Sequence, residues 1–133
     1  MKYYIDTCIW IDLYENREDN FRPLGEFALQ FLSYLNCEDV IFYSKLTLKE
    51  LRKKYSDKAI ASIFEIVKDN LVFIEFLEED FVNSKIILSS GLVHYSDAMH
   101  IALARRVSAV LVTRDKEILI SGLIDSHKPE ELI

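Results

Sequence analysis

Four acidic residues, Asp6, Glu50, Asp97 and Asp115, each follow a short β-rich run or stand in the first turns of a helical one. Carboxylates gathered with few sulfur or imidazole donors suit hard cations. Mg²⁺ in particular is often held by one or two carboxylates together with waters and phosphate oxygens. The chemistry such a set would perform is therefore phosphate chemistry. Taken singly, three of the acids have ordinary explanations. Thr47-Leu48-Lys49-Glu50 fits a capping box in which Glu50 reaches back to the Thr47 amide. Asp97 after Ser96 and Asp115 before Lys116-Glu117 suit first-turn or N-cap positions. Asp6 is different, because it closes the aromatic and β-branched run Tyr3-Tyr4-Ile5, where an unpaired charge is costly. It calls for a partner, and a metal ion is a good one.

Bringing these acids together is the task of the elements around them. Runs at 2–5, 40–43, 72–76 and 109–113 read as strands. Between them lie helical patterns: 7–14 capped by Thr7, a segment opening at Pro23, 45–55, about 57–70, one through Val82, Ile86 and Ile87 that stops at Gly91, and 95–107. Residues 15–22 read as a polar loop, and the tail from Leu123 to Pro129 as a short edge strand. This alternation predicts a parallel sheet with helices on both faces, whose ligands bind outside the carboxyl ends of the strands. With 133 residues and no glycine- or serine-rich linker, the chain reads as one domain over 1–133.

Charge narrows the partners. A formal net charge of −6 argues against a nonspecific nucleic-acid coat but not against carboxylates that hold cations. Residues 45–58 run the other way, with Lys45, Lys49, Arg52, Lys53, Lys54 and Lys58 against Glu50 and Asp57, a local +4 that leaves −10 elsewhere. That segment reads either as a solvated helix face or as a phosphate-tracking stripe joined by Arg114, Lys116, Arg105 and Arg106. His94 and His100 flank Asp97 at three residues on either side and are expected to be hydrogen-bonded or surface groups. Trp10, Tyr14, Phe21 and Tyr95 are expected chiefly to pack, with base stacking as the alternative. Two cysteines make no disulfide framework, no apolar stretch suits a signal peptide or a membrane span, and a cytoplasmic location is expected.

The segments Tyr4-Ile5-Asp6-Thr7, Thr47-Leu48-Lys49-Glu50, Ser96-Asp97-Ala98-Met99-His100-Ile101-Ala102 and Leu111-Val112-Thr113-Arg114-Asp115, in this order, resemble those of PIN-domain ribonucleases. Across nearly its whole length the chain is similar to the VapC-type toxins of toxin–antitoxin pairs. The resemblance implies a PIN-like α/β/α sandwich with a central parallel sheet of four to five strands. It implies a metal-dependent endoribonuclease using one or two Mg²⁺ or Mn²⁺ ions, with Asp6, Glu50, Asp97 and Asp115 as the catalytic, metal-binding quartet. Thr7 and Thr113 would supply nearby hydroxyls, and on the reading of the local charge as a phosphate-tracking stripe Lys49, Lys53 and Arg114 would join them in holding the RNA substrate. A small antitoxin and a homodimer follow from the same resemblance, and the lack of a long uncharged apolar run argues against a membrane partner. Many relatives carry Asn or Ser where this chain has Cys8, and a thiol is a poor ligand for these ions, so Cys8 is expected to pack. Two other readings stay open: a noncatalytic PIN-like RNA-binding or assembly module, and a phosphoryl-transfer α/β domain. The second is weakened by the absence of Asp-x-Asp after the first strand and of a glycine-rich phosphate loop.

Overall fold

A computed structural model describes all 133 residues. Five strands, β1 (Lys2–Ile5), β2 (Val40–Ser44), β3 (Leu71–Ile74), β4 (Val110–Val112) and β5 (Ser126–His127), form one parallel sheet in the order β3-β2-β1-β4-β5. The expected central parallel sheet is thus present, with the amino-terminal strand at its centre. Side chains alternate across a strand, and β1 shows the result: Tyr3 and Ile5 enter one apolar core while Tyr4 enters the other. The first core packs under α1 (Thr7–Glu15), α2 (Leu24–Ser33), α3 (Lys45–Arg52) and α4 (Asp57–Glu65), with Trp10 and Phe31 as its largest fully buried side chains. The second lies under α5 (Glu78–Ser89), α6 (Tyr95–Arg106) and α7 (Lys116–Ser121). A 3₁₀ turn, Pro129–Leu132, closes the chain. No helix is long and apolar enough to cross a membrane.

Several boundaries differ from the sequence reading. The helix expected over 45–55 ends at Arg52 and that over 57–70 at Glu65, while the last strand falls at Ser126–His127 rather than at Leu123-Ile124. The largest difference is in α5, where Val82 and Ile86 are exposed and Asp80 and Ser84 are buried beside Ile87. Asp80 can be buried because Arg106 of α6 donates to both its oxygens and the Leu77 amide donates to Oδ2, which satisfies the charge. Of the polar segment 15–22, Glu15 ends α1 and residues 19–22 make a tight turn closed by an Asp19–Arg22 bridge, with Phe21 at its tip fully exposed. Gly25 fits against the end of α1 where a Cβ would lie 2.5 Å from the Asn16 Cα, so α2 can start only with a glycine there.

Candidate active site

The site is built where β1, β2 and β4 end. Asp6 follows β1 in extended backbone and is itself the N-cap of α1, accepting from the Thr7 amide at 2.8 Å, so the cap expected of Thr7 belongs to its neighbour. Its other oxygen accepts from the Thr113 hydroxyl at 2.8 Å. Thr113, wholly buried just after β4, also accepts from the Asp115 amide at 3.0 Å, so one hydroxyl ties the two acidic turns together. Asp115 caps α7 through Oδ1, as its position suggested, and leaves Oδ2 without a protein partner. Cys8 does more than pack: its thiol lies 3.7 Å from Asp6 Oδ2 as a weak donor. Burial first, and then the charge of Asp6, push that thiol well up and keep it protonated.

Glu50 is available because the capping box at the start of α3 is formed one turn earlier than the sequence suggested. Ser44 accepts from the Thr47 amide, and the Thr47 hydroxyl accepts from the Ser44 amide. Glu50, released from that duty, accepts from Thr7 Oγ1 at 3.1 Å and from His100 Nε2 at 2.6 Å, both on Oε1. His100 is almost completely buried, and its Nδ1 lies 2.7 Å from the Tyr4 hydroxyl, which is 2.8 Å from Ser44 Oγ. A buried chain of hydrogen bonds therefore runs from Ser44 through Tyr4 and His100 to Glu50 and Thr7. The sequence reading placed His100 among hydrogen-bonded groups but missed this chain. Its signals were a tyrosine facing inward from the middle of β1 and a histidine one turn after Asp97.

Charge in this region is unbalanced toward the acids. Burial opposes ionisation of Glu50, but the hydrogen bond and charge of His100, the Thr7 hydroxyl and Lys53 outweigh it and hold the carboxyl below its ordinary range. Burial likewise opposes a charge on His100, yet Glu50, Asp6 and Asp97 together raise its pKa. Asp97, in the first turn of α6, is pushed up to about 6 by burial and then by the negative charges of Asp115 and Asp6. Replacing His100 with Ala should cost about 2 kcal/mol, since it opens a cavity and removes two buried hydrogen bonds. Chemical denaturation would measure this, and an unchanged midpoint would show that the chain contributes nothing to stability.

Asp6, Thr7, Glu50, Lys53 and Asp97 line one cleft of about 420 Å³. Asp115 stands outside its lining and acts on Asp97 through its charge. No three His, Cys, Asp or Glu side chains are close enough to form a ready-made metal cage. The donor set nevertheless fits a hard cation: it is all oxygen, and the like charges of Asp115 and Asp6 act on Asp97 more strongly than the opposing charge of His100. Among the expected phosphate-binding cations, Lys49 and Lys53 lie beside Glu50. Arg114 does not belong with them. Its guanidinium is nearly buried and is committed to Asp12 at 3.2 Å and to both oxygens of Glu130. Arg105 is held by the Leu123 carbonyl and Arg106 by Asp80, while Lys54 pairs with Glu15 and Arg52 with Asp57. The basic stripe is accordingly narrower than the sequence implied.

A parallel α/β sheet with acids collected at the carboxyl edge of its central strands places them where such sheets bind ligands. The chain belongs to the PIN domain family, whose model matches residues 3–120. No curated protein sequence matches it. Its fold is similar to that of a toxin–antitoxin complex from Klebsiella pneumoniae, at 20% identity, covering 96% of this chain and 97% of that one, with a TM-score of 0.71. VapBC-1 from nontypeable Haemophilus influenzae is similar at 21% identity, 97% and 98% coverage and a TM-score of 0.72. VapC20 of Mycobacterium tuberculosis, described as a sarcin-ricin loop cleaving toxin, is similar at 16% identity, 92% and 97% coverage and a TM-score of 0.69.

Proposed function

We propose that this PIN-domain protein is a metal-dependent endoribonuclease, the toxin of a VapBC-type toxin–antitoxin pair acting in the cytoplasm. The observation that carries this reading is the gathering of Asp6, Glu50 and Asp97 on one cleft, with Asp115 close enough to raise the Asp97 pKa. Asp6 and Asp97, with Asp115 and Glu50, would hold one or two Mg²⁺ or Mn²⁺ ions. A divalent ion bound there supplies a Lewis acid that lowers the pKa of the attacking water and offsets phosphate charge. The residues supply the rest. Thr113 and the Thr7 amide fix the Asp6 carboxylate. His100 and Thr7 fix Glu50 through Oε1, leaving Oε2 without a protein partner to accept a proton from the nucleophile. Lys49 and Lys53 hold the RNA backbone beside Glu50, with the Thr7 and Thr113 hydroxyls behind the carboxylates.

The toxin–antitoxin assignment draws on the neighbours that are themselves toxin–antitoxin complexes. An antitoxin and a second copy of the chain are the partners it calls for. Exposed Phe73, Val82 and Ile86 offer apolar surface for such contacts. The test is cleavage of single-stranded RNA by the purified protein. Activity is expected with Mg²⁺ or Mn²⁺, to be lost in EDTA and to return when the ion is resupplied. Cleavage that persists in EDTA, or none with either ion, defeats the reading.

A further inference from the structure

A second groove adjoins the acidic cleft and shares Glu50 and Lys53 with it. It encloses about 460 Å³. One wall is the outer face of α3, where Lys45, Lys49 and Lys53 recur every four residues. That interval places them on one face at a rise of about 6 Å per step, close to the spacing of successive phosphates along an extended strand. None of the three is in an ion pair, whereas Arg52 and Lys54 on the neighbouring face are paired. The opposite wall is aromatic. Phe76 and Phe81 stack on one another, with ring centroids 5.4 Å apart and planes at 26°, and Tyr95 stands at the start of α6. Phe81 and Tyr95 are 43% and 52% exposed, so the groove offers ring surface to a ligand.

Unpaired cations at a regular interval along one wall and exposed rings along the other match a chain of anions that carries flat apolar groups. A protein segment would satisfy the rings, but three unpaired lysines would favour it only if its side chains repeated an acidic group at the same interval. We propose that this groove is a single-strand subsite: it stacks an unpaired base of the RNA on the Phe81 and Tyr95 rings while Lys45 and Lys49 hold the flanking phosphates, and it delivers the strand to the acidic cleft at Glu50 and Lys53. The inference rests on the ribonuclease reading and specifies how that substrate is held. An A-form duplex keeps its bases stacked inside and cannot present one to the rings. The subsite therefore selects single-stranded segments, and it takes different bases because stacking depends on a ring face common to all of them.

The test separates binding from catalysis. Fluorescence anisotropy with a labelled eight-nucleotide single-stranded RNA in EDTA measures affinity without cleavage. Phe81→Ala and Tyr95→Ala should each weaken binding about tenfold. Lys45→Gln with Lys49→Gln should weaken it and reduce the slope of log affinity against log salt by about 1.4. All four side chains are exposed or border the groove, and unchanged circular dichroism and melting temperature will verify that the variants are folded. A duplex of the same length should bind more weakly than the single strand. The proposal is overturned if the variants bind the single strand as the wild type does, or if the duplex binds equally well. Variants that keep full RNA affinity but lose hold of an antitoxin also overturn it, and assign the groove to a protein segment. Wild type that binds as expected yet cuts nothing with Mg²⁺ or Mn²⁺ supports the groove and defeats the catalytic reading. Ring variants that bind and cut like wild type do the reverse.

Discussion

Asp97→Asn is expected to reduce metal-dependent RNA cleavage by about a thousandfold, a loss of several kcal/mol in transition-state stabilisation, while making the metal-free protein more stable. The two effects have one origin. Burial and the charges of Asp115 and Asp6 raise the Asp97 pKa to about 6 in the folded state, above its ordinary value of 3.8. Between these values the folded chain binds more protons than the unfolded one, so stability falls as pH rises through the window and is level above it. At pH 7.5 the full penalty is present. Discounted for the half-exposed position of the group, it is about 1 kcal/mol, worth about 3 °C in melting temperature. Asn carries no charge and escapes it. Thermal melts of both proteins in EDTA at pH 4 and pH 7.5 should show the gap opening with pH. A variant that is less stable than wild type at pH 7.5 would contradict this account. Asp6→Asn should lose cleavage to the same extent without the gain, because Asp6 already holds the Thr7 amide and the Thr113 hydroxyl.

Arg114→Ala should destabilise the fold by about 3 kcal/mol and leave the RNA affinity of the folded protein unchanged. The guanidinium is the common partner of Asp12 on α1 and Glu130 in the carboxyl-terminal 3₁₀ turn, and it joins the two ends of the chain through a position between them. At Asp12 burial outweighs the guanidinium and the pKa is raised. At Glu130 burial opposes ionisation too, but the guanidinium prevails and lowers the pKa. Removing the arginine leaves an almost fully buried carboxylate without its partner. Urea denaturation measures the loss, and anisotropy on the folded variant measures RNA affinity. Unchanged stability with weakened RNA binding would return Arg114 to the substrate-binding set.

Much of this architecture was legible in the sequence because the signals were local. Aromatic and β-branched runs marked β1, β2 and β4, and the acids stood where parallel strands end. What was not legible depended on pairings distant in the chain. The helical pattern through Val82, Ile86 and Ile87 did not say which face turns inward, and only Arg106, 26 residues after Asp80, explains why Asp80 is buried. Arg114 looked like a phosphate ligand beside Asp115 until Asp12 and Glu130 met it from both ends of the chain. Glu50 looked like a capping residue because Thr47 lay three residues before it, and Ser44, at the end of a strand, had the better geometry. The buried chain through Tyr4 and His100 spans 96 residues of sequence, which no window of helical or strand periodicity can register.

The central position of β1 also bears on how the protein is made. Of the five strands, β1 is made before the others and needs neighbours on both sides, and its β4 partner is made fourth. The Thr113 hydroxyl that holds Asp6 comes 107 residues after it. A growing chain therefore carries Asp6 and Glu50 long before it carries Thr113 and Asp115, and these contacts, so far apart in sequence, can form only once the carboxyl-terminal part has emerged. The carboxylates therefore stay apart until that part is made, and the cleft is complete only in the folded chain.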